Sequence, residues 1–215
     1  MTISAKHLPP QAALERLREG NHRFREDIKQ KSVLPSQTRR IELIEGQNPF
    51  AIILGCSDSR VPAEIVFDQG LGDLFVIRVA GNIVAPSQVG SVEYAAEHFG
   101  TRLVVVMGHS RCGAVTATLK ELERPSSVRS RNLRSIVNRI RPAIDELVES
   151  ELRHDPDALL HHAVRANVRA SANHLRRGSR VLEHLIESDG LVVIGAEYSL
   201  ESGRVDFFDG VPEAH

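Results

Sequence analysis

Apolar residues along the chain fall into two kinds of pattern. From Pro9 to about Ile28, Ala13, Leu14, Leu17, Phe24 and Ile28 recur at helical spacing among charges, which predicts an amphipathic N-terminal helix opened by the Pro9-Pro10 pair. A second short helix is expected over Ser36 to Glu45, ended by Gly46. Phe50–Leu54, Leu74–Val79, Leu103–Met107 and Leu191–Ile194 are instead compact, continuous apolar runs, the signature of strands buried on both faces. The stretches between them are long enough for crossover helices such as Gln88–Phe99. The fold class is therefore α/β: a mostly parallel central β-sheet flanked by α-helices, carried by a single domain over 1–215. Val205–Phe208, after the turn residues Glu201-Ser202-Gly203, adds a candidate edge strand. Ser130 to Ser188 reads as two or three helices with breaks near Asp155-Pro156 and Arg177-Gly178, Asp155 supplying a capping carboxylate.

Composition narrows the function classes. The chain is 41% hydrophobic and 26% charged, as in a soluble globular protein, and no apolar run reaches the roughly 18 to 20 residues of a membrane span. The segment Met1 to Gln30 lacks the apolar core of a signal peptide, so the expected location is cytoplasmic. A formal net charge of -1 gives no general argument for nucleic acid or an anionic membrane as partner. Arg124, Arg129, Arg131, Arg134, Arg139 and Arg141 do cluster, but Asp145, Glu146, Glu149 and Glu151 follow at once, so segment 124–141 reads as a mixed-charge helix face.

The two cysteines carry the chemistry. Cys56-Ser57-Asp58-Ser59-Arg60 and His109-Ser110-Arg111-Cys112-Gly113 each follow an apolar run, where open α/β sheets place their binding crevice. Two thiolates, an imidazole and a carboxylate form a donor set suited to tetrahedral zinc, and in a reducing compartment they favour a metal over a disulfide. Cys56 and Asp58 project to one side of extended backbone, while Cys112 precedes a helix opened by Gly113 and Ala114, whose dipole is expected to ease ionisation of Cys112.

These paired motifs resemble those of the β-class carbonic anhydrases, and the likeness runs from about Ala12 to the region of Tyr198. The resemblance implies one Zn2+ per chain on Cys56, His109 and Cys112, with Asp58 either a fourth ligand or a catalytic carboxylate paired with Arg60. In the open arrangement zinc-bound hydroxide converts carbon dioxide to bicarbonate and a proton, with Asp58 orienting the nucleophile or relaying its proton. Gln47, Val61, Phe75, Tyr94 and the amide of Gly113 correspond to the substrate lining, part of which crosses a subunit interface in that family, so a homodimer or homotetramer is implied. The regulatory bicarbonate pocket of one subgroup contains a tryptophan where this chain has Ile53, although Arg78 and Tyr198 match its other members.

Two other readings share the same residues. One keeps the fold and metal but hydrolyses a linear isostere, carbon disulfide or carbonyl sulfide. The other closes the zinc with four protein ligands as a structural interaction module. A zinc deaminase is disfavoured, because no His-x-Glu with a later Pro-Cys-x-x-Cys occurs.

Overall fold

The computed structural model describes residues 8–28, 36–124 and 130–212. Arg129 therefore lies outside the described residues. In chain order the elements are α1 (Pro10–Arg25), α2 (Gln37–Glu42), β1 (Ala51–Gly55), α3 (Ala63–Val66), β2 (Leu74–Arg78), α4 (Pro86–His98), β3 (Leu103–His109), α5 (Gly113–Glu123), α6 (Arg131–Glu149), α7 (Pro156–Arg177), α8 (Arg180–Ser188), β4 (Val192–Tyr198) and β5 (Val205–Asp209). The strands form one sheet in the order β2-β1-β3-β4-β5. The first four are parallel and β5 is an antiparallel edge strand.

Each buried run feeds two layers. Ile53 and Val105 point into a core closed by Ala13, Leu14 and Leu17 of α1, whereas Ile52, Leu54, Val104 and Val106 pack on the opposite side against Val168, Ala172 and Leu175 of α7 and Leu182 of α8. A third cluster brings Cys56 and Cys112 against Val115 of α5, Ile140 and Ile144 of α6, and Val164 of α7. The site thus sits where the C-terminal edge of the sheet meets three helices.

Several element boundaries differ from the sequence expectation. α1 stops at Arg25, and Asp27 takes a positive φ of 54°, which carries Ile28 into solvent. α2 is shorter than expected, with Ser36 capping it through a bond from the Arg39 amide. α4 starts at Pro86, whose ring suits the first helical turn. β4 runs on to Tyr198 because its pairing with β3 continues through Met107↔Ala196 to His109↔Tyr198. Gly195 and Glu197 interrupt the apolar run there without interrupting the backbone ladder. The region 130–188 resolves into α6, α7 and α8 with a short 3₁₀ turn before Asp155, whose Oδ1 accepts from the Ala158 amide as expected of a cap. Arg131, Arg134 and Arg139 are exposed on α6, the last bonded to Ser135 of the same helix. No helix among the described residues is long and apolar enough to cross a membrane.

Candidate metal centre

Cys56 leaves the end of β1, and His109 is the last residue of the neighbouring β3. Parallel pairing puts both at one edge of the sheet. Beyond His109 the chain turns through Arg111, in the left-handed region at φ 57°, so that Cys112 becomes the cap residue of α5. The ligand atoms of Cys56, His109 and Cys112 lie within 4.8 Å of one another, and all three residues are buried.

The hydrogen bonding of His109 indicates what the cluster holds. Its Nδ1 lies 2.9 Å from the Ser110 carbonyl, so this nitrogen carries the proton and donates, leaving the Nε2 lone pair free. Nε2 is fully buried with no hydrogen-bond partner. A buried imidazole nitrogen facing two sulfurs is the arrangement a metal ion satisfies. The donor set, two sulfurs and one imidazole nitrogen, fits zinc.

The thiols behave as a pair. A hydrogen bond from Cys112 lowers the pKa of Cys56 against the opposing effect of burial, and the His109 ring and the Gly81 amide lower it further. Cys112 is raised by that same bond to Cys56 and by burial. Without a metal the two sulfurs share one proton. The α5 amides of Ala114 and Val115 favour the Cys112 thiolate, as expected at a helix start, while burial and the neighbouring Cys56 sulfur oppose it. Metal binding releases the remaining proton. Burial works against protonation of His109, yet the Cys56 thiolate, the Ser110 carbonyl and the Asp58 carboxylate together raise its pKa.

Asp58 is outside the ligand set. Its Oδ1 accepts from the Arg60 amide at 3.0 Å and from Arg60 Nε at 2.9 Å, and its Oδ2 accepts from Arg60 Nη2 at 2.7 Å. This forked pair, chiefly through the Arg60 side chain, holds the carboxyl well below the usual range. Oδ2 stands 3.9 Å from His109 Nε2, beside the metal position but engaged elsewhere. Of the two expected arrangements of Asp58, the structure holds the pair with Arg60. Arg78 fixes the same turn from β2, donating to the Cys56 carbonyl at 3.0 Å and the Asp58 carbonyl at 2.6 Å. Tyr198 and Ile53 are instead buried in the core beneath α1.

The remaining expected lining divides in two. Gly113 is exposed at the start of α5, where its amide has no acceptor within the helix. Val61 follows the Asp58 turn but is buried among Ala63 and Val66. Gln47, Phe75 and Tyr94 do not approach the cluster within one protomer. Gln47 precedes β1 whereas Cys56 follows it, and a five-residue strand spans roughly 16 Å. Phe75 pairs with Ile52 near the start of the strands, and its ring lies 6.3 Å from that of Tyr94. Gln47 and Tyr94 line a surface cavity of about 530 Å³ with Leu43, Leu71 and Phe99.

A strap behind the His109 loop carries no signal in the local sequence. Ser110 Oγ donates to Glu201 Oε2 at 2.9 Å and accepts from the Leu200 amide at 3.0 Å, while Arg111 Nε meets Glu201 Oε1 at 2.8 Å. Ninety positions separate these partners, so no local pattern links them.

Comparison with known proteins agrees with this geometry. A family model described as carbonic anhydrase matches residues 51–205. Carbonic anhydrase 2 of Mycobacterium tuberculosis is 37% identical over 212 residues, covering 94% of each chain. The carbonic anhydrase of Mycolicibacterium smegmatis is 38% identical over 207 residues, covering 92% of each. Among solved structures, the β-carbonic anhydrase CcaA superposes with a TM-score of 0.69 at 27% identity, over 94% of this chain and 92% of that one. A tetrameric β-carbonic anhydrase of Sordaria macrospora gives a TM-score of 0.68 at 26% identity, over 79% and 85%.

Proposed function

The chain belongs to the carbonic anhydrase family, and we propose that Cys56, His109 and Cys112 hold one zinc ion per chain for the reversible hydration of carbon dioxide. The observation that carries this reading is the buried, unpartnered Nε2 of His109 facing two sulfurs, with Asp58 withheld by Arg60. When bound, zinc supplies acidified water as the nucleophile, the chemistry such an ion provides with three protein ligands and one open position. The residues around it do the rest. Arg60 keeps Asp58 ionised and fixed beside the three ligands, where the carboxylate would accept a hydrogen bond from the attacking water and orient it. Arg78 keeps the Cys56–Asp58 backbone from swinging. The Gly113 amide and the positive end of α5 begin next to Cys112 and would stabilise the negative charge of bicarbonate there.

The active unit is at least a homodimer. Gln47, Phe75 and Tyr94 lie too far from their own metal centre to line it, and the surface cavity that Gln47 and Tyr94 border is where a second copy would bring its own centre against them. The tetrameric Sordaria macrospora relative makes a dimer of dimers the natural larger assembly. A site that requires both thiols reduced suits the cytoplasm.

Stopped-flow carbon dioxide hydration, run beside zinc content, tests the reading. The zinc-loaded protein hydrates carbon dioxide, and Asp58→Asn and Arg60→Ala retain zinc while losing roughly a hundredfold or more in kcat. Hydration by metal-free protein at the full rate, or none by zinc-loaded protein, overturns it.

A further inference from the structure

Cys56 has a neighbour that is not a ligand. The amide of Gly81 donates to Cys56 Sγ at 3.4 Å, from a 3₁₀ turn over Ala80–Asn82 that follows β2. Asn82 takes a positive φ of 42° in that turn, a cost for a residue with a side chain, while Gly81 adopts its φ of 71° freely for want of a Cβ. It is held from three sides. A Cβ at Gly81 would come within 2.9 Å of Ala114 Cβ on α5 and of Ile140 Cδ1 on α6, so the backbone is wedged between two helices. From the third side Asn167, in the middle of α7 and almost wholly buried, donates its Nδ2 to the Gly81 carbonyl at 2.8 Å.

We infer that Asn167 is a positioning residue for the metal centre, acting through Gly81 to keep an N–H bond aimed at the Cys56 sulfur. Asn167 stands on the apolar face of α7 between Val164 and Val168, where an unpaired amide would be destabilising, so its bond to the Gly81 carbonyl sets the orientation of the turn. The sulfur is where that orientation matters. Two thiolates neutralise a divalent ion and blunt its pull on water, and an N–H directed at one sulfur withdraws part of that donated charge.

The inference rests on the metal reading of the site, and its test separates the two. Asn167→Leu keeps the volume and removes the donor, while Ala172→Gly serves as a control that loosens α7 away from the turn. Each protein is reconstituted with Co2+ to read the sulfur-to-cobalt charge-transfer band, and with Zn2+ to follow release to a chelator. In Asn167→Leu the band moves to lower energy, because the sulfur has lost its hydrogen bond. Zinc release stays within about twofold of the parent, and kcat falls roughly tenfold. In Ala172→Gly the band does not move. An unshifted band in Asn167→Leu overturns the inference, as does a weakened band with zinc release accelerated tenfold or more, which is what mere packing would give. A parent protein that binds neither ion sinks the metal reading and this inference with it.

Discussion

Gly108 is where the sheet admits helix α7, and replacing it gives a perturbation whose size follows from the coordinates. A Cβ at Gly108 would lie 2.6 Å from Val168 Cγ2 and 3.3 Å from Val164 Cγ1. Relaxed carbon contacts sit at roughly 3.5 to 4.0 Å, so Val168 or the helix must retreat by about 1 Å. Overpacking of this kind costs about 1 to 3 kcal/mol, the range expected for Gly108→Ala. Val168→Ala deletes two fully buried methyl groups and leaves a cavity, at roughly 2 to 3 kcal/mol. In the double variant the new methyl occupies the vacated space, so the sum of the single effects overshoots by at least about 1 kcal/mol. Gly195→Ala is the contrast: its Cβ would meet Val168 Cγ1 at 2.8 Å and Asp209 Cβ at 2.9 Å, and the Val168 deletion relieves only the first. Urea unfolding of the four proteins, at fixed protein and zinc concentration, measures the cycle. Additivity within about 0.5 kcal/mol, or a Gly108→Ala variant as stable as its parent, would refute the claim that α7 is seated by the missing side chain.

Cys56→Ser leaves two of the three ligands and is expected to lose zinc and hydration together while the fold persists, checked by metal analysis and circular dichroism. Burial raises the Glu197 carboxyl pKa against the opposing pull of His161 and Arg165. The folded state therefore holds the proton more tightly than the unfolded state, so this group's contribution is complete below about pH 4.5 and is lost as pH rises through the folded value. Urea midpoints measured across that range should fall less steeply in Glu197→Gln, and an unchanged slope would count against the assignment. If each site borrows Gln47 from a second copy, inactive Cys56→Ser and impaired Gln47→Ala chains refolded together regain hydration through mixed dimers that contain one intact site. Failure to recover, with mixed dimers present by mass, contradicts the shared site.

The metal ligands were legible in the chain because each belongs to a strand end, and strand ends are written locally. Ala51–Gly55 and Leu103–His109 are continuous apolar runs, and parallel pairing brings whatever follows them to one edge. The order of α6, α7 and α8 was readable for the same reason, since Asp155-Pro156 and Gly178 act within a few residues of themselves. The length of β4 was not, because Gly195 and Glu197 break the apolar pattern and only the β3 ladder extends the strand to Tyr198.

The roles around the metal required the folded chain. Ser57-Asp58-Ser59-Arg60 allows Asp58 either to bind zinc or to pair with Arg60, and the folded chain shows the pair, in a turn whose carbonyls Arg78 holds from β2. Gln47 and Tyr94 matched a substrate lining by type, yet a strand's length separates them from their own Cys56, and that distance turns a residue match into a statement about a second subunit. Asn167 carried a faint signal, a polar residue on an apolar helical face, but its partner lies eighty-six positions away. Sequence determined the donors, because ligand chemistry and strand pattern are properties of short segments. Tertiary structure decided which donors are free and what is aimed at them, because those choices depend on contacts between segments distant in the chain.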